Sequence, residues 1–229
     1  MRTCYIFASA LGEPTSFSPQ REDLIIAADA GFMKLRKMGI VPHLTVGDFD
    51  SLKEIPENTE IIRHPVQKDD TDTLLAVKIG LEKGYKKFCL YGCAGKRLDH
   101  TLANLQTLSF IAENGAIGYL YGEDFIATAI KEASAEFLPK KAGTISVFSA
   151  TSECEISIEG LLYPLKNAKV SYAFPIGVSN EFIGQKAKIT VHKGTAIIIE
   201  NKQHDCHSKR CRRISKRHQV DSSSLCSSE

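Results

Sequence analysis

Short apolar runs alternate with helix-period segments from Arg2 to about Gly122, and this alternation constrains the fold more than any other feature of the chain. Cys4–Ala8, Leu24–Ala28, Leu44–Val46, Glu60–Arg63, Lys87–Tyr91 and Ile117–Tyr121 read as strands. Helix-like segments lie between several of them. Phe32–Met38 carries Phe32, Leu35 and Met38 on one face; Thr73–Lys83 carries Leu74, Val77 and Leu81; Leu98–Asn114 carries Leu102, Leu105, Leu108 and Ile111. Gly39, Gly84 and Gly115 follow these segments where helices end. Alternation of this kind predicts a parallel sheet with helices on both faces. Ligands of such sheets bind beyond the carboxyl ends of the strands.

After about Gly122 the pattern changes. Phe125–Ile130, Thr144–Ser149, Glu155–Glu159, Lys169–Tyr172, Lys186–His192 and Thr195–Glu200 are short runs rich in Ile, Val, Thr and Ser. Polar and apolar residues alternate through Lys186–His192, as in a half-buried strand. The expected fold class is α/β plus all-β. Residues 1–123 form a parallel-sheet α/β nucleotide domain, residues 124–200 a small antiparallel β-sandwich, and residues 201–229 a disordered basic and Ser-rich tail. The tail holds seven Lys/Arg against three Asp/Glu, so the net charge of +2 belongs to it and the body is mildly acidic. Nothing in that body reads as a nucleic-acid surface. His204, Cys206, His207 and Cys211 in the tail do not have the spacing of a standard zinc module. The seven cysteines have no regular spacing and predict no disulfide framework. No apolar run approaches the roughly 20 residues that cross a bilayer, which predicts a cytoplasmic protein without membrane contact.

Four acidic clusters fall within about seventy residues, each where a strand ends. They are Ala28-Asp29-Ala30-Gly31, Gly47-Asp48-Phe49-Asp50-Ser51, Lys68-Asp69-Asp70-Thr71-Asp72-Thr73 and Gly95-Lys96-Arg97-Leu98-Asp99-His100. Carboxylates gathered at one edge repel unless a cation sits among them, and all-oxygen ligands suit Mg²⁺. Such a site beside Gly-rich turns can hold nucleotide phosphates.

Each cluster also has a plain structural explanation. Asp29 can cap a helix, and Asp48 and Asp50 can belong to an Asp-rich turn with Ser51 as a cap. Acidic residues at 69–72 offset a helix dipole, though three in four residues exceeds what capping needs. Gly92 and Gly95 open a turn that is too short for a P-loop, but its backbone N–H groups can cradle phosphate. Arg97 offers a planar fork for phosphate oxygens, with Asp99 as a cap or as its surface partner. His43, His64, His100 and His192 are scattered and read as structural.

Taken together and in order, the four motifs resemble the thiamine pyrophosphokinase family. Its pattern is an Asp-Gly-type turn, Gly-Asp-x-Asp-Ser, an acidic stretch ending in Thr-Asp, and Gly-x-x-Gly-x-Arg-x-Asp-His. Here these are Asp29–Gly31, Gly47–Ser51, Asp69–Asp72 and Gly92–His100, with Asn104 one turn on. Val178-Ser179-Asn180-Glu181 is similar to the family's Ser-Asn motif in its second domain. The resemblance covers residues 1 to about 200.

The resemblance implies an enzyme that moves the diphosphoryl group of ATP to the hydroxyl of thiamine, giving AMP and thiamine diphosphate. It implies Asp48, Asp50 and Asp72 as Mg²⁺ ligands, and Asp29 near the metal and the thiamine hydroxyl. Arg97 would contact phosphate, with Asp99 beside it. Lys68, Asp69 and the Gly92–Gly95 turn would serve the transferred phosphates. Ser179 and Asn180 would frame thiamine, at the interface of a homodimer. Some family members set a Trp against the thiamine ring; this chain has none, and Tyr172, Phe174 or Phe182 are the flat faces it offers. Another Mg²⁺-dependent nucleotide transferase, or a protein that binds thiamine or nucleotide without turnover, are the alternative readings.

Overall fold

The protein is described here from a computed structural model covering residues 1–10, 17–47, 59–63, 70–95 and 97–201. The first half runs β1 (Thr3–Phe7), β2 (Leu24–Ala28), α1 (Gly31–Lys37), β3 (Leu44–Gly47), β4 (Glu60–Arg63), α2 (Asp72–Glu82), β5 (Lys87–Tyr91), α3 (Leu98–Glu113) and β6 (Ile117–Tyr121). These elements coincide with the expected ones to within a residue or two. The six strands are parallel, in the order β6-β5-β1-β2-β3-β4. β1 and β2 are buried along their whole length, which is why both read as unbroken apolar runs. Alternate residues serve opposite faces. Cys4 and Ile6 join the core under α2 and α3, while Tyr5 and Phe7 pack with Phe32 and Leu35 of α1. Phe7, Phe88, Leu90 and Leu120 are fully buried, and each stabilises the fold by about 1.5–3 kcal/mol. The glycines that close the three helices, Gly39, Gly84 and Gly115, have φ of 68°, 81° and 65°, the left-handed cap conformation expected of them.

The second half is all strand: β7 (Phe125–Lys131), β8 (Ser134–Phe137), β9 (Thr144–Ser149), β10 (Glu153–Glu159), β11 (Leu165–Ser171), β12 (Asn180–Glu181), β13 (Ala187–Lys193) and β14 (Thr195–Asn201). β7 pairs antiparallel with β6, so the first sheet runs on as β6-β7-β14-β9-β12 to ten strands. Between residues 123 and 124 the chain turns and strand direction reverses inside one hydrogen-bonded sheet. The remaining strands form a separate antiparallel sheet, β11-β10-β13-β8. A second core lies between the two sheets, with Ile145, Val147 and Ile198 facing Ile156, Ile158 and Ile189. The outcome is a mixed α/β sheet whose antiparallel end is covered by a smaller sheet.

β8 and β12 escaped the sequence reading. β8 is an edge strand without a β-branched residue, and β12 is two residues long. Phe182 is buried in the second core, 6.2 Å from the Phe137 ring, so it is not a flat face for a ligand. Tyr172 and Phe174 are 73% and 66% exposed and retain that capacity. Among the described residues no helix is long and apolar enough to cross a membrane.

Candidate functional site

Strand order places the site. β2, β3 and β4 follow β1 to one side of the sheet, and the chain then crosses back through α2 to put β5 on the other side of β1. Connections leaving β1 and β5 therefore diverge, and a crevice opens beyond their carboxyl ends. Two backbone bonds tie the connections together at their base: Ala8 N–H donates to Tyr91 O (2.8 Å) and Ala10 N–H to Gly92 O (2.9 Å). Gly92 has φ 66°, and a β-carbon there would collide with the Ala8 carbonyl oxygen and lie 2.9 Å from that of Ala10. Only glycine fits that crossing.

The Gly92–Gly95 turn and Arg97 are fastened from above by α3. Asn104, 5% exposed, donates from Nδ2 to Cys93 O at 2.7 Å. Thr101 Oγ1 accepts from Gly95 N–H (3.2 Å) and donates to Arg97 O (3.1 Å). Arg97 is the N-cap residue of α3, extended and without a side-chain capping bond, so Asp99 is a first-turn residue and not the cap. Arg97 and Asp99 form a fork, Nε to Oδ1 at 3.3 Å and Nη2 to Oδ2 at 2.6 Å, both in solvent. The bond from Arg97 holds the Asp99 carboxyl below its usual value, and its return raises the guanidinium. An exposed pair of this kind is worth little to stability, which leaves the fork open to exchange Asp99 for another anion.

α2 begins beside the same turn. Thr73 is buried; the Cys93 thiol donates to Tyr91 O (3.5 Å), and burial pushes its pKa up to about 12. That thiol is a packing group and not a nucleophile. Thr71 caps α2 through Leu74 N–H (3.2 Å). Asp70 accepts two bonds from Lys78 Nζ, at 2.8 and 2.6 Å. Asp72 thus stands in the first turn of a helix that another side chain caps and next to a carboxylate that a lysine neutralises.

Asp29 follows β2 at the same sheet edge. Its φ is 47°, a left-handed backbone that Asp tolerates better than most residues. The N-cap position of α1 falls to Ala30, so Asp29 does not play the capping part that the sequence allowed. Asp29 N–H donates to Val46 O (2.8 Å), and a β-carbon on Gly47 would lie 3.3 Å from Asp29 Cα. The end of β3 is therefore drawn against Asp29 just before Asp48. Asp48, Asp50, Lys68 and Asp69 lie outside the described residues.

Six of the expected site residues, Asp29, Asp72, Gly92, Gly95, Arg97 and Asp99, thus share one edge of the sheet. Ser179 and Asn180 do not join them. Asn180 lies in β12, the far edge strand, where its side chain clasps Tyr163: Nδ2 donates to Tyr163 O (2.7 Å) and Oδ1 accepts from Tyr163 N–H (2.9 Å). Ser179 N–H donates to Ser146 Oγ at 3.0 Å. Five strand steps separate β12 from β5, about 24 Å along the sheet. Sequence reasoning passed over Lys34, whose Nζ donates to Ala10 O (3.0 Å) and brings a cation to the β1–β5 crossing. A lone lysine on an amphipathic helix carries no signal of such a place.

Comparison with known proteins adds a family. Residues 19–117 match the model described as thiamin pyrophosphokinase, catalytic domain, and residues 134–196 the one described as thiamin pyrophosphokinase, vitamin B1 binding domain. The chain is 29% identical over 196 residues to the thiamine pyrophosphokinase of Bacillus subtilis, covering 78% of this chain and 87% of that one. The crystal structure of thiamine pyrophosphokinase from Bacillus subtilis superposes with a TM-score of 0.77 at 24% identity, covering 89% of this chain and all (100%) of that one. A thiamin pyrophosphokinase family protein from Enterococcus faecalis gives 0.73 at 26% identity, with 89% and 100% covered. Yeast thiamin pyrophosphokinase gives 0.69 at 16%, with 87% and 86% covered, a likeness of fold.

Proposed function

The chain belongs to the thiamin pyrophosphokinase family, and on that premise we propose that it transfers the diphosphoryl group of ATP to the hydroxyl of thiamine, releasing AMP and thiamine diphosphate. The observation that carries this reading at the level of chemistry is the Gly92–Gly95 turn at the topological switch point, with Arg97 beyond it in a fork that a phosphate can enter. Transfer of this kind asks the protein to position two substrates and neutralise charge more than to form covalent bonds.

The chain's own groups divide the work. Arg97 takes phosphate oxygens in place of the Asp99 carboxylate. Peptide N–H groups of the Gly92–Gly95 turn line the phosphates, and Lys68 and Asp69 serve the transferred group. Asp29 lies on the side of the thiamine hydroxyl. A Mg²⁺ ion suits the donor set, since Asp48, Asp50 and Asp72 are all carboxylates and Asp72 is relieved of capping by Thr71. Among the described residues no three metal-ligating side chains cluster, so the full set requires Asp48 and Asp50. When bound, the ion supplies positive charge to the phosphate oxygens.

The thiamine end lies elsewhere in the sheet. Ser179 and Asn180 frame thiamine, but about 24 Å of sheet separates them from β5 in the same chain. Two chains arranged about a twofold axis bring the phosphate edge of one to β12 of the other. An apolar strip beside Asn180, formed by Tyr163, Phe174, Ile176 and Val178, each at least half exposed, supports such a homodimer. Such a protein works in the cytoplasm, where ATP and Mg²⁺ are supplied.

The test is incubation with ATP, Mg²⁺ and thiamine, followed by chromatography. Thiamine-dependent AMP with an equal amount of thiamine diphosphate is the expected result. ADP with thiamine monophosphate, or no thiamine-dependent AMP, would sink the proposal.

A further inference from the structure

We infer that Asn104, buried in α3, is a positioning residue that sets the phosphate-binding face of the Gly92–Gly95 turn; this rests on the diphosphoryl-transfer reading above. Cys93 O can only accept a hydrogen bond, so the Asn104 side chain must present its nitrogen to it. That bond turns the Cys93 carbonyl inward, against α3. In a trans peptide the N–H of the following residue points opposite to the carbonyl. Ala94 N–H is thereby directed away from α3, out of the body of the turn. The neighbouring peptide is fixed as well, because Gly92 O accepts from Ala10 N–H across the β1–β5 crossing. Gly95 N–H is taken up by Thr101. Three consecutive peptides are each oriented by a separate partner, and Asn104 holds the middle one.

Burial gives the bond its weight. At 5% exposure, water does not readily replace Asn104 as the partner of Cys93 O. Asn104→Asp keeps the shape but sets a carboxylate oxygen against the carbonyl, which favours flipping the Cys93–Ala94 peptide and presenting oxygen to the phosphates. Thr101→Val is the companion variant; it loosens the adjacent Gly95 peptide from a partly exposed position and does not threaten the core.

Steady-state kinetics are measured for the intact protein and both variants, with thermal melting as a check of folding. Asn104→Asp should raise KM for ATP roughly tenfold while KM for thiamine stays near the parent value. Calorimetric titration of a non-hydrolysable ATP analogue should show the same loss without turnover. A buried carboxyl holds its proton to higher pH, and the protonated form can donate to Cys93 O. The activity of Asn104→Asp relative to the parent should therefore rise as pH falls. Thr101→Val should raise KM for ATP in the same direction through the adjacent Gly95 peptide, and if Asn104→Asp does not fold, the same measurements on Asn104→Ser decide. Folded variants with unchanged ATP affinity, or with ATP and thiamine affinity falling together, overturn the assignment. A parent protein that binds the analogue but makes no AMP overturns the diphosphoryl-transfer reading instead.

Discussion

Asp70 and Asp72 stand two residues apart and receive different treatment from the fold. The ammonium of Lys78 bonds both oxygens of Asp70, which accounts for that carboxylate. Asp72 sits past the Thr71 cap, at the sheet edge that also carries Asp29 and Arg97. On the proposed reading it joins Asp48 and Asp50 in an all-oxygen donor set for a hard cation. Asp72→Asn should leave the protein folded while turnover falls roughly a hundredfold or more. Turnover near the parent rate in AMP-release assays would remove Asp72 from the metal shell. The candidacy of this residue was legible in the sequence, because three acids in four positions exceed what a helix start needs. The division of labour was not: it depends on which carboxylate Lys78 reaches across two helical turns. Asp29 shows the same limit. Its left-handed backbone follows from packing of β3 against β2, a contact made by residues distant in the chain.

Among the elements, those with a strong period were the legible ones. All three helices and the first six strands follow from apolar spacing and closing glycines, because a fully buried parallel strand and an amphipathic helix leave different marks on a sequence. Edge strands leave weaker marks, since half their residues face water and pairing, not composition, defines them; β8 and β12 are the cases here. How the two halves pack together is not visible in the sequence. α3 packs on β6, β7 and β14, and its last turn anchors them through Glu113, which bonds Lys131 of β7 (2.6 Å) and the buried hydroxyl of Thr195 in β14. The bond from Lys131, followed by that from Thr195, holds the Glu113 carboxyl below its usual value. A lowered folded-state pKa stabilises above the unfolded value and is lost as pH falls through the folded one. Glu113→Gln should therefore lower the melting temperature modestly at pH 7, since the side chain is 41% exposed and screened. The gap between variant and parent should close as pH drops from ~4.3 through the lower folded value. A gap that persists undiminished in acid would show that shape, and not charge, holds this joint.

At the scale of the whole molecule, the two ends of one sheet carry two functions on the proposed reading. Its parallel end would supply the phosphate edge, and its antiparallel end carries Asn180 on β12 with Ser179 just before it. Sheet spacing keeps them about 24 Å apart, farther than one thiamine molecule reaches. A homodimer resolves the distance only if each site takes its phosphate edge from one protomer and β12 from its partner. That arrangement has a consequence that a monomeric site lacks. Asp72→Asn disables the phosphate half, and Asn180→Ala unfastens Tyr163 and disables the thiamine half. In a mixed dimer both lesions fall in one site, and the other site is wholly intact. Two variants that are each inactive should thus recover activity when co-refolded, to roughly a quarter of the parent value for random pairing about a twofold axis. Each variant refolded alone provides the baseline, and size-exclusion chromatography with light scattering reads the oligomeric state of the mixture. Dimers that form without any recovered AMP production would place both halves of the site in a single chain and remove the shared-site arrangement.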